Sequence, residues 1–300
     1  MTIEDVAMLQ LSQTKGLGNA TLDRVLLRLS QEKRNLEDFV ISPIEELIHQ
    51  YGLRASVAES LKTTRKEAEQ LAEDLDKQEI HILRKGTETY PKTLLKVLGN
   101  TAPPLLFARG NLGILHQLGV GFCGSRKTSS KGLKVAETCA GILTQQGLNV
   151  VSGYASGTDL ASHCGAVKAG GTTTLVLAEG ILNFQVKAAL TPYLNDSNFV
   201  AISEFPPRLK WIARNAMQRN RTICGLSNAM ILIESGLSGG TFAAGETTLE
   251  LKLPLYVVEY ADPPDSAEAN RYFLERGAFP LRRHRDGRPN LDRLFQYLKS

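Results

Sequence analysis

Cysteine is scarce in this chain of 300 residues, and the four present, Cys123, Cys139, Cys164 and Cys224, are widely spaced. No C-x-x-C pair occurs and no histidine stands at zinc-ligand spacing, which argues against a structural zinc site or a disulfide framework and favours buried free thiols. Long apolar runs are also missing. Nothing approaches the roughly 20 residues of a membrane span, and the opening MTIEDVAMLQ has neither a basic start nor an apolar signal-like core, so a cytoplasmic protein is expected. A strong charge of one sign is absent too, the formal net charge being +4. Composition alone therefore does not point to nucleic acid, but the distribution of charge does. Arg208, Lys210, Arg214, Arg219 and Arg221 fall between Phe205 and Arg221 with no acid among them, and Arg126, Lys127, Lys131 and Lys134 form a second acid-free cluster. Local cationic segments in a balanced chain suit an anionic ligand, although a solvated basic face would read the same way.

Apolar spacing divides the chain into a helical domain, residues 1–80, and an α/β domain, residues 81–300. Val6, Leu9 and Leu11, then Leu22, Val25, Leu26 and Leu29, recur at helical intervals. Between them, Thr14-Lys15-Gly16-Leu17-Gly18 is similar to the turn of helix-hairpin-helix (SAM-like) modules, whose backbone amides meet a phosphate; a plain interhelical turn fits equally. The stretch TTRKEAEQLAEDLDKQE, residues 63–79, reads as a charged helix joining the domains. From residue 105 the pattern changes to short apolar runs separated by helix-length segments: LGVGFC, LNVVSG, TTTLVLA, FVAISE, AMILIE and LPLYVVE. Near-continuous apolar strands of this kind belong to a parallel sheet covered on both faces, a Rossmann-like doubly wound fold with its ligand at the carboxyl ends of the strands.

The loops at those ends carry the chemistry. Gly124-Ser125-Arg126-Lys127 precedes a helix, combining close backbone approach, a helix N-terminus and a guanidinium fork, all favourable to phosphate. It is not the G-x-G-x-x-G dinucleotide fingerprint, and the next strand ends in Ser152-Gly153 instead of an acid, which argues against NAD. That second loop runs on to Thr158 and Asp159, either of which can cap the following helix, with His163 as a packed polar residue. Arg214, Arg219, Asn220 and Arg221 follow the fourth strand, and Gly239-Gly240 makes an amide-rich nest after the fifth. No G-x-S-x-G elbow is present. The expected phosphate-binding set is Gly124, Ser125, Arg126, Lys127, Gly153, Arg214, Arg219, Asn220, Arg221, Gly239 and Gly240, with no catalytic residue, no metal and no cofactor.

With these residues in view, the chain resembles the DprA/Smf family of DNA-processing proteins over roughly residues 8–295. The matching text is Tyr90-Pro91 with Leu94 and Leu95, then APPLLFARGN (102–111), Gly124-Ser125-Arg126, VVSGYASGTDLASHCGAVKAGGTT, Ser203-Glu204-Phe205-Pro206-Pro207 and Arg219-Asn220-Arg221, with Asn270 and Glu275 to Ala278 near the end. The resemblance implies a helical N-terminal domain joined to an extended Rossmann-like domain. It also implies single-stranded DNA binding at Ser125, Arg126, Arg219, Asn220 and Arg221, loading of a RecA-type recombinase in natural transformation or a related DNA-processing role, and homodimers. Such proteins are not known primarily as enzymes. Where the family often has an aromatic, this chain has Ala216, with Trp211 as a candidate replacement.

The rival class is a nucleotide phosphoribohydrolase with a P-G-G-x-G-T-x-x-E loop, echoed by Gly239-Gly240-Thr241 and Glu246. Here the Glu lies two positions beyond the required spacing, about 200° around a helix, so its carboxylate would face elsewhere. A protein that senses a nucleotide without cleaving it could use the same loops.

Overall fold

The computed structural model describes residues 1–299, which fall into two compact units. The first comprises residues 1–84 together with Pro103–Phe107. Its helices are α1 (Ile3–Gln13), α2 (Asn19–Glu32), α3 (Leu36–Ile41), α4 (Ile44–His49), α5 (Ala55–Thr63) and α6 (Arg65–Asp76), followed by strand β1 (Ile80–Arg84). A capping box starts α1, where the Thr2 amide donates to Asp5 at 2.9 Å and the Asp5 amide to Thr2 Oγ1 at 3.1 Å, satisfying amides that the helix leaves open. Met8, Leu9, Leu11, Phe39, Leu47, Leu61 and Leu75 are fully buried and form its core.

The charged stretch read as a connector is α6, whose Ala68, Leu71, Ala72 and Leu75 are buried; it packs against α1 as a core helix. Its many charges occupy the outer face, which made it look solvated from the sequence. In the Thr14–Gly18 turn the Gly16 and Gly18 amides have no acceptor among the described residues, while the other amides are bonded. The Lys15 amide donates to Ser60 Oγ at 3.1 Å and that of Leu17 to the Thr14 carbonyl at 3.2 Å, while Gly16 takes φ +82° to pass Val57. The unit boundary falls at Arg84 instead of residue 80, because β1 belongs with the helices and Pro103–Phe107 returns to them.

The second unit, residues 85–102 and 108–300, contains α7 (Lys92–Leu98), the end of β2 (Leu105–Gly110), β3 (Gly119–Cys123), α8 (Ser130–Gln145), β4 (Asn149–Gly153), α9 (Thr158–Lys168), β5 (Thr173–Val176) and β6 (Phe199–Ser203). Then come α10 (Ala213–Gly225), β7 (Ala229–Leu232), α11 (Gly240–Glu250), β8 (Leu255–Val258), α12 (Asn270–Glu275), β9 (Phe279–Leu281) and α13 (Asp292–Lys299). The strand order is β2-β6-β5-β4-β3-β7-β8-β9, and β3 to β9 pair in parallel, with Val120 in register with both Val150 and Ala229. This is a Rossmann-like α/β fold. All six expected strands are present, while β1, β2 and β9 had not been picked out.

Every residue of β3 to β8 is buried, as strands covered on both faces must be. On one side Val120, Phe122, Val150 and Ile231 pack on Ala136, Cys139, Ala140 and Leu143 of α8. On the other, Leu232 meets α11, as right-handed crossovers running in opposite directions from β3 require. The chain leaves β3 toward β4 on one side and later returns to place β7 on the other. The resulting switch point opens a crevice beyond the ends of β3 and β7.

Candidate nucleic-acid interface

A cleft of about 370 Å³ occupies that crevice. The loop after β3 supplies Gly124, Ser125 and Arg126, the loop after β4 supplies Ala155, the first turn of α9 supplies Asp159, α10 supplies Ala216, Met217, Arg219 and Asn220, and the start of α11 supplies Gly240 and Thr241. A narrower recess of about 150 Å³ adjoins it and shares Arg126, Ala155, Ala216 and Arg219.

The centre of the cleft is an ion pair. Arg219 Nη2 lies 3.3 Å from Asp159 Oδ2, and the two side chains are 8% and 9% exposed. Ser152 Oγ at 3.0 Å and the Ala155 amide at 3.2 Å also donate to Asp159, which fixes the carboxylate. The guanidinium is less well satisfied. Its Nε and Nη1 are buried without a hydrogen-bond acceptor, an arrangement that costs free energy until an acceptor arrives. Gly153 makes room for it, since a Cβ there would sit 1.3 Å from Arg219 Nη1. His163 underpins the same strand end by bonding the Gly153 carbonyl through Nε2 at 2.6 Å and Thr173 through Nδ1 at 2.7 Å. Its complete burial pulls its pKa down to about 4, so the ring is neutral and Nε2 carries the proton.

The helix terminus expected to receive phosphate is engaged in part from within the protein. The amide of Ser129, the cap of α8, donates to Glu234 Oε2 at 2.8 Å, and its hydroxyl to Oε1 at 2.6 Å. Tyr260 and Ser266 hydroxyls complete the shell of this buried carboxylate at 2.9 and 2.6 Å. Glu234 thus acts as the internal anion of α8, and the Ser125 amide is held by its backbone carbonyl at 2.9 Å. Gly124 serves packing as well as access, because a Cβ there would lie 2.1 Å from Thr158 Oγ1.

Of the expected residues, Gly124, Ser125, Arg126, Arg219, Asn220 and Gly240 line the cleft. Gly153 lies beneath Arg219, and Gly239, at φ +91°, caps α11. Lys127 and Arg214 are exposed and outside the lining, and Arg221 is outside it as well. Arg221 is two residues from Arg219, about 200° around α10, so the two cannot both face the groove. Asn220 does not reach outward either; its amide donates to the Gly240 carbonyl at 2.8 Å and ties α10 to α11. Asp159, expected as a cap or packed polar residue, is the counter-ion of Arg219, and the cap of α9 is Gly157.

Residues missed from sequence were Met217, 53% exposed at the mouth, and Tyr154 and Glu179 of the recess. Only the spacing of Ala213, Ala216, Met217 and Asn220 along α10 could have pointed to Met217. Trp211 lines the recess, half-exposed, with the Arg126 guanidinium 5.4 Å from its ring centre. Glu246 is absent from both linings, and the carboxylate nearest the cleft centre, Asp159, is bound to Arg219. Among the described residues no group of three His, Cys, Asp or Glu side chains converges as metal ligands, and no helix is long and apolar enough to cross a membrane.

Comparison with known proteins agrees with this architecture. The chain is 27% identical to protein Smf of Escherichia coli over 235 residues, covering 77% of this chain and 62% of that protein. It is 30% identical to the DNA processing protein DprA of Streptococcus pneumoniae over 193 residues, 64% of this chain and 67% of the relative. Thus it spans about two thirds of these relatives. The X-ray structure of the S. pneumoniae protein superposes with a TM-score of 0.79 at 24% identity, covering 94% of this chain and 95% of the other. The DNA processing protein A of Helicobacter pylori, known for a single-stranded DNA binding mode, superposes at 0.57 with 22% identity over 67% of this chain and 90% of its own. The profile of the DNA recombination-mediator protein A family matches residues 81–288, and the chain belongs to that family.

Proposed function

We infer that the switch-point cleft binds the sugar-phosphate backbone of single-stranded DNA. The observation that carries this reading is Arg219, a buried guanidinium with two nitrogens lacking acceptors, in a cleft whose rim bears exposed Arg126 and Met217 and whose adjoining recess bears Trp211. A phosphate oxygen supplies the missing acceptors, while the exposed apolar and aromatic surfaces suit unstacked bases. Duplex DNA suits the site less well, because loops after β3 and β4 and the helices α10 and α11 line a crevice instead of presenting one helix to a groove.

Membership of the recombination-mediator family supports the wider role: the protein coats and protects single strands and passes them to a RecA-type recombinase, acting as a cytoplasmic homodimer. Its role is binding, not catalysis. The placement of Glu246 outside the cleft and the engagement of Asp159 by Arg219 support that view, since neither carboxylate is available as the acid or base of glycosidic cleavage.

The test is fluorescence anisotropy with a labelled 20-mer, single-stranded or as blunt duplex, over a salt series, with AMP hydrolysis followed alongside. Stronger single-strand binding, with a log–log salt slope of about −0.7 per phosphate contacted and no AMP turnover, is expected. Equal affinity for duplex refutes the single-strand reading, and AMP turnover lost in Glu246→Gln restores the hydrolase.

A further inference from the structure

The recess shares Arg126 and Arg219 with the cleft but has a different carboxylate and an aromatic lining, and that difference suggests which part of a nucleotide enters. Glu179 lines it, together with Trp211, Tyr154, Leu177 and Ala178. Partial burial raises the pKa of Glu179, and Lys187 is its nearest cationic influence. The Lys187 ammonium donates one hydrogen bond to the Tyr154 carbonyl, 2.6 Å away. Among the described residues, the one hydrogen bond at Glu179 reaches its backbone carbonyl, from Ser203 Oγ at 2.6 Å. Asp159 is held by Arg219, Ser152 and Ala155, whereas the Glu179 carboxylate accepts no hydrogen bond among the described residues and is open to a donor from a ligand. At about 150 Å³ it is half the smallest volume typical of a pocket for a drug-sized ligand, which fits one flat ring system.

We propose that this recess is a nucleobase subsite in which Trp211 stacks on the base and the Glu179 carboxylate selects guanine. The proposal rests on the single-stranded DNA reading of the adjoining cleft, where Arg126 and Arg219, shared by both hollows, hold the phosphates next to the selected base. The selection follows from the donors on each base. A carboxylate only accepts, and guanine alone presents two adjacent donors, N1–H and N2–H, spaced for its two oxygens. Adenine and cytosine place a ring nitrogen acceptor beside their amino group, and thymine flanks its single N–H with two carbonyl groups, so each brings at least one lone pair against the carboxylate. Stacking itself does not discriminate among bases; the carboxylate does.

Trp211 is the sole tryptophan, so its fluorescence reports occupancy of this recess without a label. The experiment titrates the full chain with a thymine 12-mer and with the same 12-mer carrying one central guanine, adenine or cytosine, reading anisotropy and tryptophan quenching together. The expected result is at least about five-fold tighter binding of the guanine oligomer, as one good bidentate contact provides, with deeper quenching. In Glu179→Gln and Glu179→Ala, each checked for native melting, the preference disappears. Equal wild-type affinity for all four oligomers overturns the subsite while leaving the single-stranded DNA reading standing, as does a guanine preference that survives both substitutions. Failure to bind any oligomer overturns both.

Discussion

Replacing Arg219 with alanine separates the structural and binding roles of the residue at the centre of the cleft. Because both partners of the pair are more than nine-tenths buried, solvent screens the interaction little, and removing one charge leaves the other uncompensated. Such losses usually cost about 3–5 kcal/mol. Asp159 keeps its bonds from Ser152 and Ala155, which places the cost near the lower end, about 3 kcal/mol, or a fall in Tm of about 6–12 °C. Single-strand binding should weaken further than stability alone explains. Loss of hydrogen bonds to a charged group costs about 1.5–3 kcal/mol, about 10- to 150-fold in affinity. The double variant Asp159→Asn/Arg219→Ala removes the orphaned charge as well, so it should regain much of the Tm and none of the affinity. Thermal unfolding by circular dichroism and oligonucleotide anisotropy measure the two effects. If folded Arg219→Ala binds like the wild type, or the double variant recovers binding, Arg219 is a structural ion-pair partner and the cleft needs another anion ligand.

The remaining outcomes test the surroundings of that pair. Gly153→Ala changes no charge, yet its methyl would occupy the position of Nη1; single-strand affinity should fall at least about ten-fold, with a stability loss of about 1–3 kcal/mol, and wild-type binding by this variant would contradict the placement of the guanidinium. Arg126→Ala should melt normally and bind several-fold more weakly with a shallower salt slope, whereas Arg221→Ala should bind nearly as the wild type; the reverse order in a mobility-shift assay would disprove the orientation of α10. His163 is held neutral, with its pKa lowered to about 4 from 6.5, so the unfolded chain binds the extra proton and stability falls as pH drops from about 6.5 toward 4. Urea unfolding of His163→Gln should show less of this loss, by about 3 kcal/mol over the window, and identical pH profiles would show that the histidine is not buried neutral. Glu204 runs the other way: burial raises its pKa to about 7, so it contributes stability below its unfolded value near 4.5 that is lost as pH rises through 7, and Glu204→Gln should flatten that part of the profile.

Short-range pattern determined most of the architecture. Six apolar runs with helix-length spacers identified the parallel strands, because strands buried on both faces must be apolar throughout, and Gly-rich, Arg-rich loops marked the ligand-bearing end of the sheet. The strands β1, β2 and β9 were less legible, being mixed in polarity or only three residues long. Which charged groups meet was decided by tertiary structure alone. Nothing in the local sequence pairs Arg219 with Asp159, 60 residues away, or places Glu234 at the cap of α8, 105 residues from Ser129. Those contacts arise because crossovers bring distant strand ends to one edge, where a buried charge must find a partner wherever the fold provides it. The same is true of Arg219 and Arg221: adjacent in the motif and chemically alike, they are divided by the pitch of α10 into a residue of the cleft and one outside it.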